Sequence, residues 1–303
     1  MAAGGPVADP AGPARRPPEP AGKPVAILAG SGRLPLELAD HLKARGRDHR
    51  LLAFRGFADG PLRRRADAVC DLLDPAAILR QLERWAPACV TLVGAVGRPG
   101  LPALLGAYAA FRNRAEVRGL LARGDDHLLR GAVRLLEDHG HRVVGPHELA
   151  PDLAVPAGFR GGPEIGEEDR SAIATALTLL ETFSPYDIGQ AAVVERQRVL
   201  AVEGPEGTDR MLRRVAALRR SWFRRTHEGG VLVKAAKRGQ DLRVDMPAIG
   251  PRTVVEAKRA GLSGIAVGAG STLVLDRAET VRTAERAGLF VISVRLPWMG
   301  EAS

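Results

Sequence analysis

The sequence predicts an α/β protein of two domains, the first built on a parallel sheet. Three observations carry this expectation. Short apolar runs alternate with stretches of helical periodicity, the pattern of βαβ units. Residues 147–168 (HELAPDLAVPAGFRGGPEIGEE) are dense in Pro and Gly, which marks a boundary. The chain has 303 residues, which at about 150 residues per domain points to two domains.

The elements follow in order. Residues 1–22 hold Pro, Gly and Ala with a few charges, too little apolar surface to fold, and read as a disordered tail. PVAILA (24–29) is a buried-strand candidate, and LPLELADHLKARG (34–46) is a helix that stops at Gly46. RLLAF (50–54) and ADAVCDLL (66–73) read as strands, and Pro75 opens a helix reaching about Trp85. ACVTLVG (88–94) is the clearest strand of the first half. Helices over 101–112 and 125–140 and a strand over 141–146 complete it. The second half opens with a helix over 168–183 and a hairpin, AAVVER and VLAVEG, turning near Arg196–Arg198. Helices follow over 208–221, 252–261 and 278–288, with strands at 230–236, 264–269, 272–275 and 289–294. The domains are therefore set at 23–150 and 169–303, with 151–168 as linker.

The composition, 45% hydrophobic and 26% charged, is that of a globular protein. Aromatics make up only 4%, so the core must be built from Leu, Val, Ala and Ile. The net charge of +9 invites a nucleic-acid partner. Yet only Lys23, Lys43, Lys234, Lys237 and Lys258 among 44 basic residues are lysine, and the basic residues spread along the chain. That fits an arginine-biased composition rather than a nucleic-acid arm. Cys70 and Cys89 sit in apolar runs, with neither disulfide nor metal spacing. The N-terminus lacks an apolar signal core, which argues against secretion. No apolar run reaches about 18 residues, so no span is expected, while attachment to a membrane surface stays open.

Five features carry chemistry. Gly30-Ser31-Gly32 follows the first strand and leads into a helix, where glycines let backbone approach a phosphate. The third glycine of a dinucleotide fingerprint is absent, and the second strand ends at Phe54-Arg55 rather than in an acid. A nucleotide or sugar phosphate is thus preferred over a nicotinamide, and a plain tight βα turn fits the same residues. Gly94-Ala95-Val96-Gly97-Arg98-Pro99 ends the clearest strand and would face the same crevice, or simply be a loop that needs glycine. Asp125 and Asp126 open a helix, as caps or as carboxylates for Mg²⁺. The fourth feature gathers Asp187, Gln190, Glu203, Glu206, Thr208, Asp209, Lys234, Lys237, Gln240, Arg243 and Asp245. Hydrolysis or transfer at a pyrophosphate needs cations against the oxygens, a carboxylate-held metal and an oriented water, and these are the required residue types. The fifth, RRVAALRRSWFRR (213–225), suits an anionic lipid surface or a solvated helix face.

Taken together, ILAGSGRLP (27–35), GDDHLL (124–129), RVVGPHEL (142–149), DIGQAAVV (187–194), LAVEGPEGTDRML (200–212), GVLVKAAKRGQDLRVDMPAIG (230–250), AGLSGIAVGAG (260–270) and AGLFVI (287–292) resemble one family. It is the compact UDP-2,3-diacylglucosamine pyrophosphatase family of lipid A biosynthesis, unrelated to the metallophosphoesterase type. The resemblance runs from about Lys23 to Val294. It implies a Rossmann-like domain and a second α/β domain with the ligand between them. It implies Mg²⁺-dependent hydrolysis of UDP-2,3-diacylglucosamine to UMP and 2,3-diacylglucosamine 1-phosphate. Asp245 matches the metal-linked carboxylate, Thr208, Asp209 and Gln190 match positions near the ligand, and Lys234 matches a phosphate-facing lysine. Gly30, Ser31 and Gly32 match the nucleotide-side loop. Water is the expected nucleophile, with Lys234, Lys237 and Arg243 stabilising developing charge; Gly94, Asp125 and Asp126 are further candidate contacts. A homodimer, cytoplasmic and peripheral to the inner face of the cytoplasmic membrane, is also implied. The chain departs from the family pattern at Ala95, at Arg238 where Pro is common, and at Gly268 where Glu is usual. The competing classes are a non-catalytic nucleotide-sugar or phospholipid binder and an NAD(P)-dependent oxidoreductase.

Overall fold

The computed structural model describes residues 22–96, 125–186, 188–221 and 229–299. The tail up to residue 21, the helix expected over 101–112, Asp187, Trp222 and Phe223 lie outside the described residues, as do the side chains of Asp125 and Asp126.

The first sheet holds β1 (Val25–Ala29), β2 (His49–Phe54), β3 (Ala68–Cys70) and β4 (Cys89–Val93) in the order β3-β2-β1-β4, all parallel. Strand β1 is buried along its whole length, and its two faces serve different helices. Val25, Ile27 and Ala29 pack with Leu38, Ala39 and Leu42 of α1 (Leu34–Ala44). Ala26 and Leu28 pack with Ile78 and Leu82 of α3 (Pro75–Trp85) and with Val133 and Leu136 of α4 (Asp125–Asp138). The period-2 alternation of a strand thus buries every residue, which is why the run is continuously apolar. Each such Val, Leu or Ile contributes about 1.5–3 kcal/mol on burial.

In the first half two expected strands come out shorter, and two short helices lie outside the sequence expectation. The strand expected over 66–73 pairs only at Ala68–Cys70, because Asp74 immediately caps α3, accepting from Ala77 N at 2.9 Å. The first of these helices is α2 (Gly60–Arg65), capped by Asp59, which accepts from Leu62 N at 3.0 Å. The stretch 141–146 joins the sheet through a single parallel bridge, Val90 with Val143. Gly145 and Pro146 then start α5 (Pro146–Leu149), and a proline cannot donate to a ladder.

The second sheet has the order β5-β12-β10-β8-β6-β7. Strands β8 (Val231–Lys234), β10 (Gly264–Gly268) and β12 (Phe290–Val294) are parallel. The hairpin β6 (Ala191–Glu195) and β7 (Arg198–Val202) runs antiparallel to them, turning at Arg196 with φ 56°. At the other edge β5 (Arg160–Gly161) pairs antiparallel with β12, so the Pro/Gly-rich stretch contributes an edge strand. Helix α6 (Glu167–Phe183) covers one face, and α7 (Thr208–Ser221), α8 (Pro251–Arg259) and α9 (Arg277–Ala287) lie on the other. The strand expected over 272–275 is β11 (Leu273–Val274), which pairs with β9 (Ala248–Ile249) in a separate two-stranded ribbon. Among the described residues no helix is long and apolar enough to cross a membrane.

The two halves meet through the loop that carries Gly239 and Arg243 and through Asp276. Arg243 Nη1 donates to Glu137 Oε1 at 2.8 Å, and Arg130 Nη2 donates to the Gly239 carbonyl at 3.1 Å. Glu37 Oε2 accepts from Asp276 N at 3.2 Å, with Arg33 3.7 Å from the Asp276 carboxylate.

Candidate active site

The parallel strands of the second sheet end on one edge, where α/β proteins hold ligands. Lys234 closes β8, and its partner in register, Val267, stands one residue before the end of β10. Because β6 runs the other way, its first residues reach the same edge, and the Gln190 carbonyl accepts from Ala235 N at 2.9 Å. Gly189 permits this meeting: a Cβ there would stand 2.4 Å from the Glu203 carbonyl oxygen.

A continuous line of hydrogen bonds runs along this edge. Lys234 Nζ donates to Thr208 Oγ1 at 2.8 Å, and Thr208 donates to Glu203 Oε1 at 2.6 Å. Glu203 Oε2 accepts from Gln190 N at 2.9 Å, and Gln190 Nε2 donates to Asp245 Oδ2 at 2.7 Å. Gln240 Nε2 donates to the same Asp245 oxygen and to the Asp245 carbonyl at 2.8 Å. The orientation of that amide is set by Lys237 N, which donates to Gln240 Oε1 at 2.7 Å. Glu203 and Thr208 are both only 8% exposed, so the middle of the line is shielded while its ends, Lys234 and Asp245, are half-buried.

The structure therefore brings Gln190, Thr208, Lys234 and Asp245 together, with the Lys237 backbone joined through Gln240. Asp209 starts α7 beside Thr208, but its carboxylate takes Arg252 Nε at 2.8 Å. Arg243 is engaged by two carboxylates: Asp241, with Nη2 to Oδ2 at 2.8 Å, and Glu137. These partners push its guanidinium further up from an already high value and hold the Asp241 carboxyl below its ordinary 3.8. In this arrangement Arg243 anchors the loop that carries Asp245 to the first domain. In the sequence Glu203 and Gln240 belong to the charged set without a role of their own; an acid and an amide flanking the named residues are the available signal.

Gly30, Ser31, Gly32 and Gly94 lie on the first domain, at the ends of β1 and β4. Gly30 N donates to the Val93 carbonyl at 2.9 Å, and Ser31 N and Ala95 N exchange bonds with each other's carbonyls at 2.8 and 2.9 Å. A Cβ at Gly30 would come within 2.6 Å of the Ala95 oxygen, and one at Gly94 (φ 88°) within 2.6 Å of the Ser31 oxygen. These two glycines are accounted for by the close approach of the two loops. At Gly268 a Cβ would stand 2.5 Å from Ser271 Oγ and 2.8 Å from Leu296 Cδ1, so those side chains fill the space a larger residue needs.

Among the described residues no three or more His, Cys, Asp or Glu side chains gather into a metal cage. Mg²⁺ asks for less, being held commonly by one or two carboxylates with waters and substrate phosphates. A single carboxylate at Asp245, held from one oxygen by two amides, fits that modest demand.

Fold and site together define a two-domain α/β protein with an acid–amide–lysine line on the carboxyl edge of its second sheet. Comparison gives the family. The LpxI N-terminal domain model matches residues 24–153 and the LpxI C-terminal domain model matches residues 156–292. The UDP-2,3-diacylglucosamine pyrophosphatase LpxI of Caulobacter vibrioides is 38% identical over 269 residues, covering 88% of this chain and 96% of that protein. The chain belongs to the LpxI family.

Proposed function

We propose that this chain is a hydrolase that cleaves the diphosphate of UDP-2,3-diacylglucosamine, yielding UMP and 2,3-diacylglucosamine 1-phosphate in lipid A biosynthesis. Membership of the LpxI family supports the substrate, and the line joining Lys234 to Asp245 is the observation that supports the chemistry. Lys234 offers an ammonium with three donors, of which Thr208 Oγ1 takes one, leaving two for phosphate oxygens. Charge that builds on the phosphate during cleavage meets this fixed cation without reorganisation. Asp245, turned by Gln190 and Gln240, orients the attacking water and would hold Mg²⁺. The cation, when bound, neutralises charge on the diphosphate. Water adds to one phosphorus, the bridging P–O bond breaks, and two phosphate monoesters leave.

The acyl chains keep the substrate in a lipid layer, so the proposal includes peripheral attachment to the inner face of the cytoplasmic membrane, as a homodimer. Vesicle sedimentation and equilibrium ultracentrifugation check these two parts. The principal test is UMP release from UDP-2,3-diacylglucosamine with Mg²⁺, with and without EDTA. Release that stops with EDTA is expected. Absence of release from folded protein that still binds the nucleotide sugar overturns hydrolysis and leaves a binding protein.

A further inference from the structure

We infer that Glu203 is a positioning residue that sets both working ends of this site at once. The inference rests on the reading of Lys234 and Asp245 as the hydrolytic groups. Glu203 is an acid only 8% exposed, and each of its oxygens has a different duty. Oε1 accepts the Thr208 hydroxyl proton at 2.6 Å. That fixes the direction of the hydroxyl, so a lone pair of Thr208 Oγ1 faces Lys234 Nζ at 2.8 Å. Were the hydroxyl turned round, its proton would oppose the ammonium. Oε2 accepts Gln190 N at 2.9 Å and so holds the residue whose amide reaches Asp245 at 2.7 Å. The main chain repeats the tie, since Gly189 N donates to the Glu203 carbonyl at 3.1 Å and Glu203 N donates to the Ala191 carbonyl at 2.8 Å.

A buried carboxylate is costly unless its oxygens are satisfied. Here an exposed arginine would serve a purely structural acid as well. The partners are instead a hydroxyl and an amide that each point onward to a functional group, the logic of an orienting group behind a working one. Replacing Glu203 by Gln keeps the shape and changes the donor count. Its oxygen can still accept from Gln190 N, but its new NH₂ faces Thr208 Oγ1, which Lys234 already approaches.

The test reads Lys234 directly and does not depend on turnover. The five lysines are trace-labelled with acetic anhydride and resolved by peptide mass spectrometry, in the wild type, Glu203→Gln, Thr208→Val and the double variant. Lys234 labelling is expected to rise about tenfold in either single variant, the loss of one charge-assisted hydrogen bond. The double variant should add nothing further, and Lys23, Lys43 and Lys258 should not change. In turnover, kcat falls in both single variants with KM near the wild-type value. Unchanged Lys234 labelling in folded Glu203→Gln overturns the inference. If that variant does not fold, unchanged labelling in Thr208→Val overturns it instead. A wild type with no turnover but with Lys234 labelling that rises in the variants sinks the hydrolase reading, and leaves Glu203 only as the group that orients Thr208 towards Lys234.

Discussion

In the proposed mechanism Asp245 is the residue on which the chemistry turns. Its Oδ2 collects donors from Gln190 and Gln240, so removing the acid removes an oriented group without opening the core, since the residue is half-buried. Asp245→Ala should therefore lower kcat by about 10²- to 10⁴-fold. UDP affinity by titration calorimetry should stay within a few-fold. A variant that keeps turnover would remove Asp245 from the mechanism. The residue types of the site were legible in the sequence, because diphosphate cleavage calls for cations and carboxylates in one region. Their pairing was not. Arg243 reads as a phosphate ligand in sequence, but Asp241 two residues before it and Glu137 from the other domain already engage its guanidinium.

Among the elements, the strand ends matter most. The glycines after β1 and β4 look like a phosphate cradle in sequence, yet both serve the meeting of two loops through the Ser31–Ala95 bridge. Gly94→Ala should force a side chain into a positive φ and against the Ser31 carbonyl, at a cost of about 1–3 kcal/mol. Differential scanning calorimetry should show a melting temperature lower by roughly 2–4 °C for each kcal/mol. An unchanged melting temperature would mean the loops part without penalty. The strands themselves were legible because burial on both faces leaves an unbroken apolar run. Strand β11 was expected over 272–275, but β9 was not, because two residues carry no period, and so the ribbon they form was missed.

Across the whole molecule, the domain contact carries a pH dependence. Burial pushes the Glu37 carboxyl above its ordinary 4.5, outweighing the Asp276 N–H and Arg33 that favour its charge. A carboxyl raised in the folded state contributes fully below the unfolded value and loses that contribution as pH rises through the folded value. Glu37→Gln should therefore gain stability over the wild type as pH rises above 4.5 and match it below, by urea denaturation at each pH. A constant difference across the series would deny the shift. Asp241 behaves oppositely. Arg243 lowers its carboxyl, so its support for the loop is present above 3.8 and lost as pH falls. In the same range Glu279, held down to about 2 by Arg286 and Arg282, loses its own pairing.

What the sequence determined by itself was whatever a local period encodes: β1, β4, β10 and β12 as apolar runs, and α1, α3 and α6 through α9 as amphipathic helices. Steric and hydrophobic periodicity act over a few residues, so one chain is enough to read them. What the tertiary structure alone decided was partnership. Gln190 meets Asp245 across 55 positions, and Lys234 meets Thr208 across 26. Hydrogen bonds depend on distance and direction in space, and no spacing along the chain records them.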